Sequence, residues 1–431
     1  MTASKLPPRH SAKELVNHRL RRFFYSTLAV VLFITSFGAM AWHDLQSSVN
    51  QIDANQFLIG NRSNRPVTDY DGRAVNILVM GTDSRQGANN IDGGAATESS
   101  ARSDTTMIMH ISADRKRIQV VSIPRDTMVD IPECKSADGT ITDSMYAQFN
   151  TAFANGAGSG DLSARALAAG AACAISTVEK LTDIHIDDYM VVDFAGLKNM
   201  VDALGGVGVY VSEDIDDPEY TQLKLDKGCH HLDGSAAVMY ARVRHGVSDG
   251  SDLHRIERQQ NLMGAMMRTA MRKNLLTSAP DLYAFAKAAL GTLTTSPHVG
   301  QLNTLAGLAM SVRTIGFAGI EFITAPNEAD PDDPNRVVLR EKDAKALWKS
   351  LKDDKPAPTN TVSSTANGTP APAATATAPE TEDPAQETEP SSEETTQAPA
   401  PKASSPAPAP KASATPPTDP AVQCKSGRVN S

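Results

Sequence analysis

Hydrophobic positions fall along this chain in three patterns. The first is a block: residues 23–42, FFYSTLAVVLFITSFGAMAW, carry no charge. A helix rising about 1.5 Å per residue spans the hydrocarbon core of a bilayer in such a length, so the block predicts a transmembrane helix. The second pattern is short apolar runs bounded by turn residues. They predict strands at 75–80, 105–112, 117–123, 188–194, 207–211 and 319–324. The third is helical spacing. Phe194, Leu197, Val201 and Leu204 recur on one face, and Gly205-Gly206 ends the run. Helices are also predicted at 161–181, 234–244, 252–273, 281–290, 301–313 and 342–351. Residues 43–70, 86–101 and 132–160 show no strong period and read as spacer or loop.

Strands interleaved with helices predict an α/β fold, a three-layer αβα sandwich. The expected layout is a basic segment 1–22, the transmembrane helix 23–42, a spacer 43–70, one folded domain 71–352 and a tail 353–431. The tail holds 15 of the chain's 26 prolines among Ala, Thr, Ser and Glu. Such a composition cannot bury enough apolar surface to fold, so disorder is expected there.

Charge orients this layout. Six Lys/Arg against Glu14 give residues 1–22 a charge of +5, while Asp44 follows the apolar block. Positive-inside bias then places the N-terminus in the cytoplasm and the body outside the cell membrane. A retained anchor fits better than a cleaved signal, because the run is long and no small-x-small site follows. Residues 23–352 sum to −9, which argues against nucleic acid as a partner. The cysteines suit an extracellular body. Cys134 and Cys173 are expected to form a disulfide, leaving Cys229 free or paired with Cys424; none has metal-ligand spacing.

Against that acidic background one basic stretch stands out, YARVRHGVSDGSDLHRIERQQ at 240–260. Taken alone, Arg242, Arg244, Arg255 and Arg258 read most simply as a salt-bridged helix face. Three strand ends change that reading. Asp83 and Arg85 follow the first body strand, Arg102 and Asp104 precede the second, and Arg125 and Asp126 follow the third. Ligands in open α/β sheets bind beyond strand ends. Carboxylates and guanidiniums brought together there suit phosphoryl transfer: Asp83 and Asp104 can hold Mg²⁺, and arginines neutralise phosphate oxygens. Arg255 and Gln259 are i,i+4 on one helix and share a face, while Leu253, Ile256, Met263 and Met267 can pack inward. No P-loop, G-x-S-x-G elbow or H-E-x-x-H motif occurs. His245 and His254 read as surface residues, and Tyr189, Tyr210 and Tyr240 as core.

These pieces resemble the LytR–CpsA–Psr family of cell-wall ligases. The resemblance rests on NILVMGTDSR at 76–85, RSDTT at 102–106, VSIPRDTMVDIP at 121–132, HLDGSAAVMYARVRHG at 231–246 and GSDLHRIERQQ at 250–260, in that family's order. It implies a mixed central sheet between helical layers, with a long apolar groove for a polyprenyl chain. The implied activity moves a glycopolymer from a polyprenyl-pyrophosphate carrier to the 6-hydroxyl of N-acetylmuramic acid in peptidoglycan, forming a phosphodiester. Asp83 and Asp104 would be the magnesium-associated carboxylates. Asp83, Asp104, Arg125, Arg244 and Arg255 would be catalytic. Arg85, Arg102, Arg242, Asp252, Arg258 and Gln259 would bind substrate. Two rival readings are a polyprenyl-pyrophosphate hydrolase and a non-catalytic scaffold for lipid or anionic polymer.

Overall fold

The computed structural model describes residues 11–60, 72–82, 102–158, 163–244, 247, 252–273, 278–333, 335–359, 361 and 363–365. The central sheet has eight strands: β1 (Asn50–Gln51), β2 (Val75–Thr82), β3 (Ser103–Ile111), β4 (Ile118–Ile123), β5 (Asp188–Val192), β6 (Leu293–Thr295), β7 (Ile320–Thr324) and β8 (Ser363–Thr365). Their spatial order is β1-β6-β5-β2-β3-β4-β7-β8. The sheet is mixed. β5 runs parallel to β2 and β7 parallel to β4, while β2, β3 and β4 form an antiparallel meander. β4 is buried at every position, as its unbroken apolar run requires.

Nine helices are described. On one face of the sheet lie α2 (Phe149–Ala157), α3 (Ala164–Thr182) and α9 (Glu341–Lys352), around Leu78, Ile108, Val121, Phe153 and Trp348. The other face carries α6 (Asp252–Arg272) and α8 (Leu302–Ile315), whose Met263, Met267, Leu305 and Val312 cover Val75, Ile77, Met107 and Ile320. The three-layer sandwich is therefore present. Beside α6, a third group of elements encloses a second core: α4 (Phe194–Ala203), α5 (Gly234–Arg242), α7 (Ala279–Leu290) and the antiparallel pair Val207–Val211 and Gly228–Leu232.

Local chemistry sets the helix starts. Asp193 caps α4 by accepting from the Gly196 amide at 2.7 Å, and Asp233 caps α5 through the Ala236 amide at 2.8 Å. Ser163 caps α3 in the same way.

Three regions differ from the sequence reading. The apolar block belongs to a longer helix, α1 (Ser11–Ser48), which runs without a break into the body. Its end and the start of the stretch read as a spacer pack on the domain: Gln46 bonds to Gly300 and Leu302, β1 joins the sheet, and Phe57 is buried. At the other end, Asp354 lies beyond the expected boundary yet pairs with Arg117 at 2.9 Å and sits 3.1 Å from His110 Nε2. The third is α2, which falls inside the stretch read as loop. Its sequence, FNTAFANGA, is short and rich in Asn, Gly and Ala, which read as loop.

Cys134 and Cys173 form the expected disulfide, tying the short strand Cys134–Lys135 to α3. Cys229 is disulfide-bonded as well, which removes the free-thiol alternative; Cys424 lies outside the described residues.

Candidate active site

The site forms where β3 begins, β4 ends and α6 passes over both. Asp104, the second residue of β3, is the hub. Arg125, two residues past β4, donates from Nη1 to Asp104 Oδ1 at 2.6 Å. Arg255, on the first turn of α6, brings Nη2 to 2.9 Å from both Asp104 Oδ2 and the Asp104 carbonyl. Burial pushes the Asp104 carboxyl up, but Arg255, Arg125 and Arg242 outweigh it and hold the group below the usual carboxylate range. Asp104 is thus an ionised counter-charge shared by two guanidiniums. Arg255 is 2% exposed.

A second carboxylate stands behind the first. Asp126 accepts from Gln148 Nε2 at 2.6 Å and from Arg125 Nε at 3.4 Å, and Arg244 Nη2 approaches it to 3.9 Å. Sequence reasoning noticed Asp126 beside Arg125 but gave it no role. Its neighbour Gln148, 22 positions on, carries no signal in the sequence.

On the other side of Asp104 opens an apolar cavity of about 340 Å³. Its floor is the sheet, through Val79, Met107 and Val192. Its walls are α4 (Phe194, Leu197, Met200), α6 (Leu262, Met263, Met266, Met267) and α7 (Phe285). Its polar lining includes Asp104, Arg242, Arg255 and Gln259. The Arg242 guanidinium stacks over the Phe194 ring at 4.5 Å, so an arginine bridges the polar and apolar parts. The methionines on α6, placed inward by helical spacing, face this cavity as well as the core.

The sequence-predicted residues separate into groups. Asp104, Arg125, Arg244, Arg242, Arg255 and Gln259 come together. Arg258 does not line the cavity: it is buried, and its Nη2 donates to the Val243 carbonyl at 2.6 Å. It sits one residue before Gln259 on α6, about 100° further back around the helix. Its role is to hold the backbone between Arg242 and Arg244, not to touch a ligand in the cavity. Arg102 is exposed beside β3. Asp83, Arg85 and the Asp252 side chain lie outside the described residues.

The magnesium expectation names two carboxylates, Asp83 and Asp104, of which only Asp104 is described. Among the described residues no group of three or more His, Cys, Asp or Glu side chains is placed to hold an ion. Asp104 has both oxygens engaged by arginines. Asp83, the other expected ligand, lies outside the described residues.

Known proteins can now be set beside this geometry. The chain is 31% identical to the probable cell wall biosynthesis protein LcpB of Corynebacterium glutamicum, over 75% of this chain and 69% of that protein. It is 25% identical to the polyisoprenyl-teichoic acid–peptidoglycan teichoic acid transferase TagV of Bacillus subtilis, over 77% and 79%. Its fold matches the crystal structure of protein gbs0355 from Streptococcus agalactiae with a TM-score of 0.52 at 20% identity, covering 66% of this chain and 90% of that one. Residues 42–353, the span that carries both the arginine–aspartate hub and the cavity, match the LytR_cpsA_psr family, and the chain belongs to it.

Proposed function

We propose that this protein is a membrane-anchored phosphotransferase that moves a glycopolymer from a polyprenyl-pyrophosphate carrier to the 6-hydroxyl of N-acetylmuramic acid in peptidoglycan. The observation that carries the reading is the direct junction of an apolar cavity with a cluster of guanidiniums. An amphiphile with a long hydrocarbon chain and a pyrophosphate head suits that junction. The chain fills the space under α4, α6 and α7, and the head meets Arg242, Arg255 and Gln259. A relative named as a teichoic acid transferase supports the same class of reaction.

In the reaction, the acceptor hydroxyl oxygen attacks the phosphorus that bears the glycan. The bond from that phosphorus to the bridging oxygen breaks, polyprenyl phosphate leaves, and the hydroxyl proton passes to a base. Arg125, Arg255 and Arg242 neutralise charge that grows on the bridging and equatorial oxygens. Asp104 is a poor base because its arginines favour the ionised form; it orients them instead. Asp83 with Asp104 remains the proposed place for Mg²⁺, which would supply further charge neutralisation at the phosphates.

The test incubates the purified full chain with a lipid-pyrophosphate glycan and peptidoglycan fragments, and analyses products by mass spectrometry. A glycan–phosphate–muramic acid product is expected. Free glycan phosphate alone would establish a hydrolase, and an unchanged substrate a scaffold.

A further inference from the structure

α1 fixes how the body meets a membrane. Trp42 is the last residue of the uncharged block and is 53% exposed. Aromatic residues at that position mark the membrane–water interface. Asp44 is two residues further along the same unbroken helix, about 3 Å along its axis. There Asp44 Oδ2 accepts from Lys287 Nζ at 2.8 Å and from the Tyr283 hydroxyl, both on α7. Two residues further on, Gln46 Oε1 accepts from the Leu302 amide at 3.1 Å and so caps α8. Leu45 packs against Leu290 and Leu293, beside Ala286 of α7. These contacts tie α7 to the end of α1. The headgroup layer is about 5–8 Å thick on each side, so the Tyr283–Lys287 face of α7 stands within it.

α7 is also part of the cavity. Phe285, between those two anchoring residues, lines it, while Leu282 on the preceding turn is 36% exposed. We propose that α7 rests in the headgroup layer of the bilayer that α1 crosses and forms the membrane-side wall of the cavity. A hydrocarbon chain then passes from bilayer to cavity along α7 without traversing water, which would cost about 0.8 kcal/mol for every methylene exposed. The occupant of the exposed α7 face is lipid, and the inference rests on α1 being a membrane span.

The experiment reconstitutes the full chain in nanodiscs of phosphatidylcholine and phosphatidylglycerol. Leu282→Cys and, as an outward control on α9, Lys345→Cys carry a nitroxide label. Quenching of Trp42 by brominated lipid reports the anchor independently. Collision of the label at position 282 with a water-soluble nickel chelate is expected to be at least about fivefold lower than at position 345. Equal collision rates with Trp42 quenched overturn the proposal and leave the anchor standing. Absence of Trp42 quenching overturns both. As a functional arm, Leu282→Asp is expected to lower turnover of a bilayer-embedded long-chain substrate several-fold while leaving a short, water-soluble prenyl pyrophosphate analogue unaffected. Unchanged turnover of both substrates, or an equal loss on both, overturns the inference.

Discussion

Arg255 and Arg258 lie three residues apart on α6, yet the structure gives them opposite tasks. Arg255 faces Asp104 and the cavity. Arg258 is a buried cation whose Nη2 meets the Val243 carbonyl; burial lowers its pKa, and the attraction of Glu213 only partly offsets that. Such a charge weakens the fold unless it serves function. Against that cost, Arg258→Met leaves the buried Val243 carbonyl without its donor, so it is expected to lower stability by about 1–3 kcal/mol and to lower kcat through the released carbonyl; a thermal melt and steady-state kinetics check the pair. Arg255→Ala is expected to abolish transfer. Asp104→Asn removes the counter-charge of the buried Arg255 and the half-buried Arg125 and should cost about 3 kcal/mol. The sign of the acid dependence follows from the lowered folded pKa of Asp104. Its stabilising contribution is fully present above the unfolded value of 3.8 and is lost as pH falls through the depressed folded value. Acid unfolding curves of wild type and Asp104→Asn should accordingly converge below about pH 4. At this scale the sequence identified the residue types well. It could not tell Arg258 from Arg255 by direction, nor find Gln148, because both depend on which carbonyl or carboxylate the fold brings near.

At the scale of elements, long buried strands and capped helices were legible. β2, β3 and β4 fall within two residues of their predicted bounds, since a strand buried on both faces must be written as an apolar run. The strands Asn50–Gln51 and Leu293–Thr295 were invisible because two or three residues carry no period. α2 was missed for a different reason. It crosses α3 so closely that a Cβ on Gly156 would collide with the Ala169 carbonyl, and one on Gly170 would come within 2.8 Å of the Phe153 ring. Close backbone approach selects small residues, and small residues in sequence look like loop. Gly156→Ala is expected to destabilise the protein by about 2 kcal/mol or more through overpacking, measurable by urea denaturation; Gly307→Ala, where open space surrounds the added carbon, should be neutral or slightly stabilising.

For the whole molecule, the cysteine reading and the membrane block together placed the folded body in an oxidising compartment, and the Cys134–Cys173 disulfide agrees with it. The bond closes a loop across 39 positions, a constraint on the unfolded chain worth about 4 kcal/mol in the chain-entropy treatment. Cys134→Ser with Cys173→Ser should lower the melting temperature by several degrees and leave the arginine hub assembled, which differential scanning calorimetry and residual activity would show. The wider arrangement was less legible. That α1 continues into the body, and that Asp354 closes the far end against His110 and Arg117, are contacts over more than 200 positions of sequence.

The pairing of Asp104 with Arg125 and Arg255 also bears on how the proposed site lets go of what it binds. Each of those guanidiniums has five N–H donors and gives only some of them to Asp104, so an arriving phosphate shares the arginines with a carboxylate that stays in place. Arginines already partly neutralised attract an anion less than a bare cationic pocket does, and small anions from the surroundings gain too little to compete. A ligand with a hydrocarbon chain has a second source of binding energy in the cavity. When the product phosphate of the proposed reaction leaves, Asp104 still holds the arginines, and the site resets without waiting for a new partner.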